Sequence, residues 1–209
     1  MSLRFVRGWC QYGPLRWHDA RPPGTPVAPH SRRTDGAGPS AATHAIICCM
    51  DAAERSRLAA ILDLQEGRGG VPLLDDESVR DLLRTARRIA VIGASDRPGR
   101  PSREVFAALL RAGYDAVPVT PRFATVLGQP AYPDLAAAVA ATGPFEIVDV
   151  FRRAEDCPVH AHEAVAASAR AFWLQLGIVS WEAAAIARDG GVDVVMNRCI
   201  SVERHRLLR

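Results

Sequence analysis

Arg88-Ile-Ala-Val-Ile-Gly-Ala-Ser-Asp-Arg-Pro-Gly-Arg-Pro-Ser102 reads as a short apolar run ending at Gly93, a small-residue loop, and the opening of a helix. A chain builds a phosphate cradle in this way at the top of a parallel strand. Small residues let the backbone approach an anion, and the helix start offers free N–H groups and a positive dipole end. Arg97 and Arg100 add charge to the loop. The usual dinucleotide pattern G-x-G-x-x-G would need glycines where Ser95 and Pro98 stand, so this departure bears on the ligand.

Outward from this stretch the pattern alternates. Ile89–Ile92 is a strand and Ser102–Ala112 a helix stopped by Gly113; Ala116–Val119 is a strand and Asp134–Ala141 a short helix. Phe145–Val150 is a strand, Glu155–Ala169 a helix, Ala171–Leu176 a strand and Ser180–Arg188 a helix with Ser180 as its cap. Val192–Val195 is the last strand and Ile200–Leu208 a closing helix. The strands are apolar on both faces, which a sheet covered by helices requires. Strict alternation predicts an α/β fold, a doubly wound parallel sheet of about five strands in a single domain. Upstream, Asp51–Gln65 and a helix capped by Asp75 and Asp76 and running to Thr85 form an N-terminal helical arm. The expected organisation is therefore 1–49, 50–87 (helices) and 88–209 (sheet domain).

Of 209 residues, 26 are basic, all of them arginine. With no lysine there is no lysine nucleophile and no Schiff base. Residues 1–49 hold six Arg and two Asp, whereas residues 50–209 hold 20 Arg and 21 acids. The overall charge of +3 therefore belongs to the first segment, and the near-neutral body gives no nucleic-acid footprint. No apolar run approaches the roughly 20 residues of a membrane span. Five cysteines at irregular spacing, without C-x-x-C, suit neither zinc nor a disulfide framework, and a reducing cytoplasm is the expected setting.

Arg21 to Ser40 holds five prolines and no helical or strand period, which predicts disorder across 1–49. The Arg-rich, acid-poor composition resembles a transit peptide but lacks an amphipathic helix. The preferred expectation is an over-extended start, with the natural chain beginning at Met50.

Ligands of such sheets sit outside the carboxyl ends of the strands. The residues there form the candidate binding site. They are Gly93, Ala94, Ser95, Arg97, Pro98, Arg100 and Ser102 after the first strand, and Thr120, Pro121 and Arg122 after the second. Phe151 and Arg152 follow the third, Gln175 and Gly177 the fourth, Asn197 and Cys199 the fifth. This rim is rich in arginine and poor in acids, and suits a ligand with several phosphates. An NAD site places Asp or Glu after the second strand. Arg122 there instead favours a ribose phosphate, which leaves NADP and coenzyme A both open.

From about Val79 to Leu208 the chain resembles the CoA-binding domain family of small bacterial and archaeal proteins, itself similar to the nucleotide-binding domain of the succinyl-CoA synthetase α subunit. The resemblance rests on Val91-Ile-Gly-Ala-Ser95 with Pro98 and Ser102, on Gly113-Tyr114, Pro118 and Pro121, and on Gly128 with Tyr132-Pro133. It continues through Val148-Asp-Val-Phe-Arg152, Trp173-Leu-Gln-Leu-Gly177 and Met196-Asn-Arg-Cys199. Thr120, Arg122 and Asn197 stand where the family commonly has Asn, Lys and Asp. The resemblance implies a Rossmann-like fold that binds coenzyme A, with no established reaction for the stand-alone members.

Chemistry-bearing residues outside the rim have plainer readings. Asp149, inside an apolar strand, is expected to be a structural hydrogen-bond acceptor. His160 and His162 lie two apart on one helix and supply no metal set, so no metal is expected. Cys199 follows the fifth strand near the ligand, but no histidine has a reason to sit beside it, so a packed, non-catalytic thiol is expected. The expectation is a cytoplasmic, non-enzymatic binder of coenzyme A or an acyl-CoA, a monomer or homodimer acting as regulator or carrier. It has no nucleic-acid or membrane partner. A small NADP-dependent oxidoreductase is the alternative, weakened by the lack of a Tyr/Lys pair.

Overall fold

The structure is a computed structural model describing residues 51–209, so the expectations for residues 1–49 lie outside the described residues. The sheet has five parallel strands: β1 (Arg88–Ile92), β2 (Asp115–Val119), β5 (Ile147–Val150), β6 (Ala171–Leu174) and β7 (Asp193–Val195). Their spatial order is β2-β1-β5-β6-β7. Beyond β2, Tyr132 makes one parallel bridge to Val119. It accepts from the Thr120 N–H at 2.7 Å and donates its own N–H to the Pro118 carbonyl at 3.1 Å. Counting Tyr132 as a rudimentary strand gives the order 3-2-1-4-5-6 of the dinucleotide-binding fold. At the opposite edge the Leu74 N–H donates to the Val194 carbonyl at 2.9 Å. The architecture is thus the expected α/β, Rossmann-like doubly wound sheet.

Helices cover both faces, and this explains the two-sided apolar strands. On one side Val79, Leu82 and Leu83 of α2 (Asp76–Thr85) pack with Phe106 and Leu109 of α3 (Pro101–Arg111) and Ile200 of α7 (Ile200–Leu207). They meet the faces of Ile89, Val91 and Trp173. On the other side α4 (Leu135–Thr142), α5 (Cys157–Ala166) and α6 (Trp181–Asp189) cover Ile92, Val148 and Phe172. Ala60, Ile61 and Leu64 of α1 (Ala52–Gln65) pack against this second layer. The helix starts follow the caps: Asp51, Asp75 and Asp134 accept from the backbone three residues on at 2.7, 2.8 and 2.7 Å.

Three segments depart from expectation. The helix expected over Glu155–Ala169 is a 3-10 turn, Ala154–Asp156, followed by α5. Pro158 stands in the first turn of α5, and Ser168 at φ 53° ends its run. β6 stops at Leu174, where Gln175 turns inward to Asp149. A two-stranded hairpin, β3 (Thr125–Val126) with β4 (Gln129–Pro130), was not foreseen. Its turn residues Leu127 and Gly128 both have positive φ, 49° and 78°, as a type I′ turn requires. Leucine is a poor choice there. The Asp96 carboxylate accepts the Leu127 N–H at 2.9 Å and holds the turn from outside.

An ion network joins the start of α2 to α7 and the loop before it. Asp76, at the first position of α2, accepts from Arg198 and from both terminal nitrogens of Arg206, all within 2.8 Å. These two arginines, Arg206 foremost, hold the Asp76 carboxyl well below the usual carboxylate range.

Candidate functional site

Strand order reverses between β1 and β5, whose crossovers leave in opposite directions, and a crevice opens there at the carboxyl edge. The cleft measures about 950 Å³, at the upper end of small-molecule sites. Its floor is built at Gly93. The Gly93 N–H donates to the Val119 carbonyl at 2.9 Å, and φ is 82°. A Cβ there would stand 2.4 Å from the Phe151 carbonyl oxygen, so β1 and β5 approach closely only because residue 93 is glycine.

The loop beyond Gly93 is shaped locally. The Ser95 hydroxyl accepts the Arg97 N–H at 3.2 Å. Arg97-Pro98-Gly99-Arg100 closes with the Arg100 N–H on the Arg97 carbonyl at 3.4 Å, and Gly99 has φ 76°, the pattern of a type II turn. Helix α3 follows with Arg100 in the cap position, Pro101 in the first turn and no side-chain cap. Pro101 has no N–H and the Arg103 N–H donates to the Arg100 carbonyl at 3.0 Å, so the Ser102 N–H and the positive dipole end are what α3 presents to the loop.

The rim residues sort by their side chains. Gly93, Ala94, Ser95, Arg97, Arg100 and Ser102 line the cleft from the β1 side, with Thr120 and Arg122 from β2. Phe151 and Arg152, then Gln175, Gly177 and Cys199, line it from the later strands. Pro98, Pro121 and Asn197 do not line it. Pro98 is occupied in shaping the turn, and Pro121 faces an adjoining groove with Phe123 and Pro133. Asn197, in the left-handed region at φ 57°, accepts the Gly177 N–H at 2.7 Å and fixes the β6 loop. Among the lining residues outside the expected set are Phe123, and Arg57, which α1 carries to the cleft from outside the sheet domain. No periodicity in the sequence pairs Arg57 with loops that follow it by tens of residues; only the packing of α1 does so.

Charge in the cleft is one-sided. Asp156 is the one carboxylate among the lining residues. Arg57, Arg97, Arg100, Arg122 and Arg152 make no ion pair within the described residues. Elsewhere Arg88, Arg188, Arg198 and Arg206 are held by acids at 2.8 Å or less. Both adjacent arginines line the cleft, but differently: Arg153 is exposed and pairs with Glu155 at 4.0 Å, while Arg152 turns in beside Gly93 with its Nε buried and unpartnered. A buried guanidinium nitrogen without an acceptor is costly, and an anion in the cleft would supply that acceptor.

Below the floor, Asp149 is fully buried and accepts from the Gln175 amide at 2.7 Å; its second oxygen has no partner. Burial pushes its carboxyl up to about 7, only partly offset by the hydrogen bonds from Gln175 and the Val150 N–H. Asp149 is thus the structural acceptor the sequence suggested. His160 pairs with Glu163 at 2.7 Å. Among the described residues no group of three or more His, Cys, Asp or Glu converges on a metal position, and no helix is long and apolar enough to cross a membrane.

Known proteins share this architecture. A protein from Pyrococcus horikoshii OT3 described as hypothetical superposes with a TM-score of 0.62 at 33% identity, over 68% of this chain and 95% of that one. A Thermus thermophilus protein superposes with a TM-score of 0.60 at 35% identity, over 64% of this chain and 99% of that one. Uncharacterized protein YneT of Bacillus subtilis (strain 168) is 40% identical over 124 residues, 59% of this chain and 90% of that protein. The sequence model of the CoA binding domain matches residues 87–205, spanning the sheet from β1 into α7. The chain belongs to the CoA binding domain family.

Proposed function

We propose that the cleft holds coenzyme A or an acyl-CoA, and that the protein is a cytoplasmic regulator or carrier rather than a catalyst. One observation carries the reading. The unpaired arginines converge on a backbone that only glycine permits, at the reversal of strand order. Coenzyme A carries a pyrophosphate and a 3′-phosphate, and the donor set suits both. The Gly93–Ser95 backbone and the start of α3 would take the pyrophosphate. Arg122, after β2, would take the ribose phosphate, with Arg97, Arg100 and Arg152 completing the charge balance. When bound, the cofactor supplies a thiol for thioester formation. Against catalysis by the chain itself, no histidine among the described residues lines the cleft beside Cys199, and the chain has no lysine.

Thermal shifts with coenzyme A, acetyl-CoA, dephospho-CoA, NADP and NAD test this reading. Coenzyme A is expected to stabilise, dephospho-CoA to stabilise less, and NAD not at all. Stabilisation by NADP without coenzyme A would overturn it in favour of the oxidoreductase. Arg152→Gln is expected to weaken coenzyme A about 10- to 100-fold, the loss of one charged hydrogen bond of roughly 1.5–3 kcal/mol. Calorimetric titration reads the change, and an unaltered affinity would remove Arg152 from the site.

A further inference from the structure

A second cleft of about 470 Å³ lies at the other end of the sheet, against the start of β1 and the residues preceding β2. Its walls are apolar: Leu83, Ala112, Leu207, Leu208 and the buried Tyr114. Its charged lining is arginine alone, from Arg80, Arg84, Arg87, Arg204 and Arg209. No Asp or Glu among the described residues lines it, although acids slightly outnumber arginines across residues 50–209.

Three helices, α2, α3 and α7, end at this cleft, and arginine is favoured at helix C-termini. Each such end carries a partial charge of about −0.5, so three of them offset fewer than two of the five arginines. Asp81 pairs with Arg84, and no acidic side chain among the lining residues balances the others. Arg204 stacks over the Tyr114 ring, 5.9 Å from its centroid, and its Nε is buried without a partner. The Arg87 guanidinium donates only to the Arg84 and Ala86 carbonyls, at 3.3 and 3.2 Å. Arg80 makes no ion pair within the described residues. Arg84 reaches Asp81 on the exposed side of α2, at 3.0 Å.

We propose that this arginine cleft is a second ligand site, one that takes a small molecule bearing two or more phosphates. Planar guanidinium groups match phosphate oxygens in pairs. The volume falls within the range of small-molecule sites and is too small for a whole dinucleotide. The apolar floor formed by Leu83, Tyr114 and Leu207 suits a carbon skeleton between the phosphates. The site is independent of the coenzyme A cleft and stands or falls separately.

Titration calorimetry of the full chain with inorganic pyrophosphate and tripolyphosphate, with and without coenzyme A, tests the assignment. With coenzyme A saturating the first cleft, one saturable site is expected to remain, weakened at least tenfold by the double variant Arg80→Gln/Arg84→Gln. Both residues are exposed, so this variant is expected to fold. Arg204→Gln is expected to abolish binding, with its melting temperature read alongside. Arg122→Gln, in the other cleft, is expected to leave the affinity of this second, coenzyme A-insensitive site for pyrophosphate unchanged. Failure of pyrophosphate to saturate, or sensitivity to Arg122→Gln in place of the double variant, would overturn the site. Equal binding of citrate would overturn its assignment to phosphate.

Discussion

Gly93→Val is expected to abolish the coenzyme A response and to lower the melting temperature by about 10 °C. Two costs combine. A side chain at φ 82° pays about 1–2 kcal/mol for the left-handed conformation. Its Cβ would also stand 2.4 Å from the Phe151 carbonyl oxygen, which belongs to the backbone and cannot rotate aside. The carbonyl must retreat, and the β1–β5 register retreats with it. A total of about 3 kcal/mol sits at the upper end of ordinary substitutions, and roughly 2–4 °C accompanies each kcal/mol in a domain of this size. Gly99→Ala separates the two costs. Gly99 has a similar φ of 76°, but nothing lies within 4 Å of the added carbon. This variant is expected to lose only about 1 kcal/mol. Equal melting temperatures for the two variants would show that close approach at residue 93 is not what the glycine provides.

The second large effect is a dependence on pH. Asp149 has a carboxyl near 7 in the folded protein against an ordinary value of 3.8, chiefly because it is fully buried. The folded state therefore holds a proton that the unfolded chain releases near pH 4. Stability from this residue is fully present below the unfolded value and is lost as pH rises towards 7, after which it is flat. A shift of this size corresponds to about 4 kcal/mol. Asp149→Asn keeps an oxygen for the Gln175 amide and removes the titration. Urea unfolding at pH 4.5 and pH 8 should show the variant gaining on the natural protein by several kcal/mol at the higher pH. Asp76 and Glu203 act in the opposite sense. Arg206 and Arg198 hold Asp76 low, and both arginines hold Glu203 low against the pull of burial, so their stabilisation is lost as pH falls. Both groups are present in each protein and cancel in the comparison. A stability difference that does not change with pH would sink the argument.

Much of this is legible in the amino-acid sequence. The caps Asp51, Asp75, Asp134 and Ser180 act locally, within three residues, so the helix starts could be read directly. Two-sided apolar runs bounded by glycine gave the strands, and a parallel sheet dictates that their carboxyl ends form the cleft. What stayed hidden depends on distant partners. The Leu127-Gly128 turn carries no hairpin signal, because its support is the Asp96 carboxylate thirty-one residues upstream. Asn197 looked like a ligand contact because it follows a strand, yet its oxygen is committed to Gly177. Arg57 joins the cleft through the packing of a helix that the family's domain does not include.

The backbone contacts at the two sheet margins have a consequence for association. A bare outer strand is a template onto which another chain can add, and open sheets are prone to edge-to-edge polymerisation. Here Tyr132 occupies backbone groups on the outer side of β2, and Leu74 takes the Val194 carbonyl on the outer side of β7. β7 is only three residues long, which leaves little further template. A second copy, or an extended peptide, cannot lengthen this sheet without first displacing Tyr132 or Leu74.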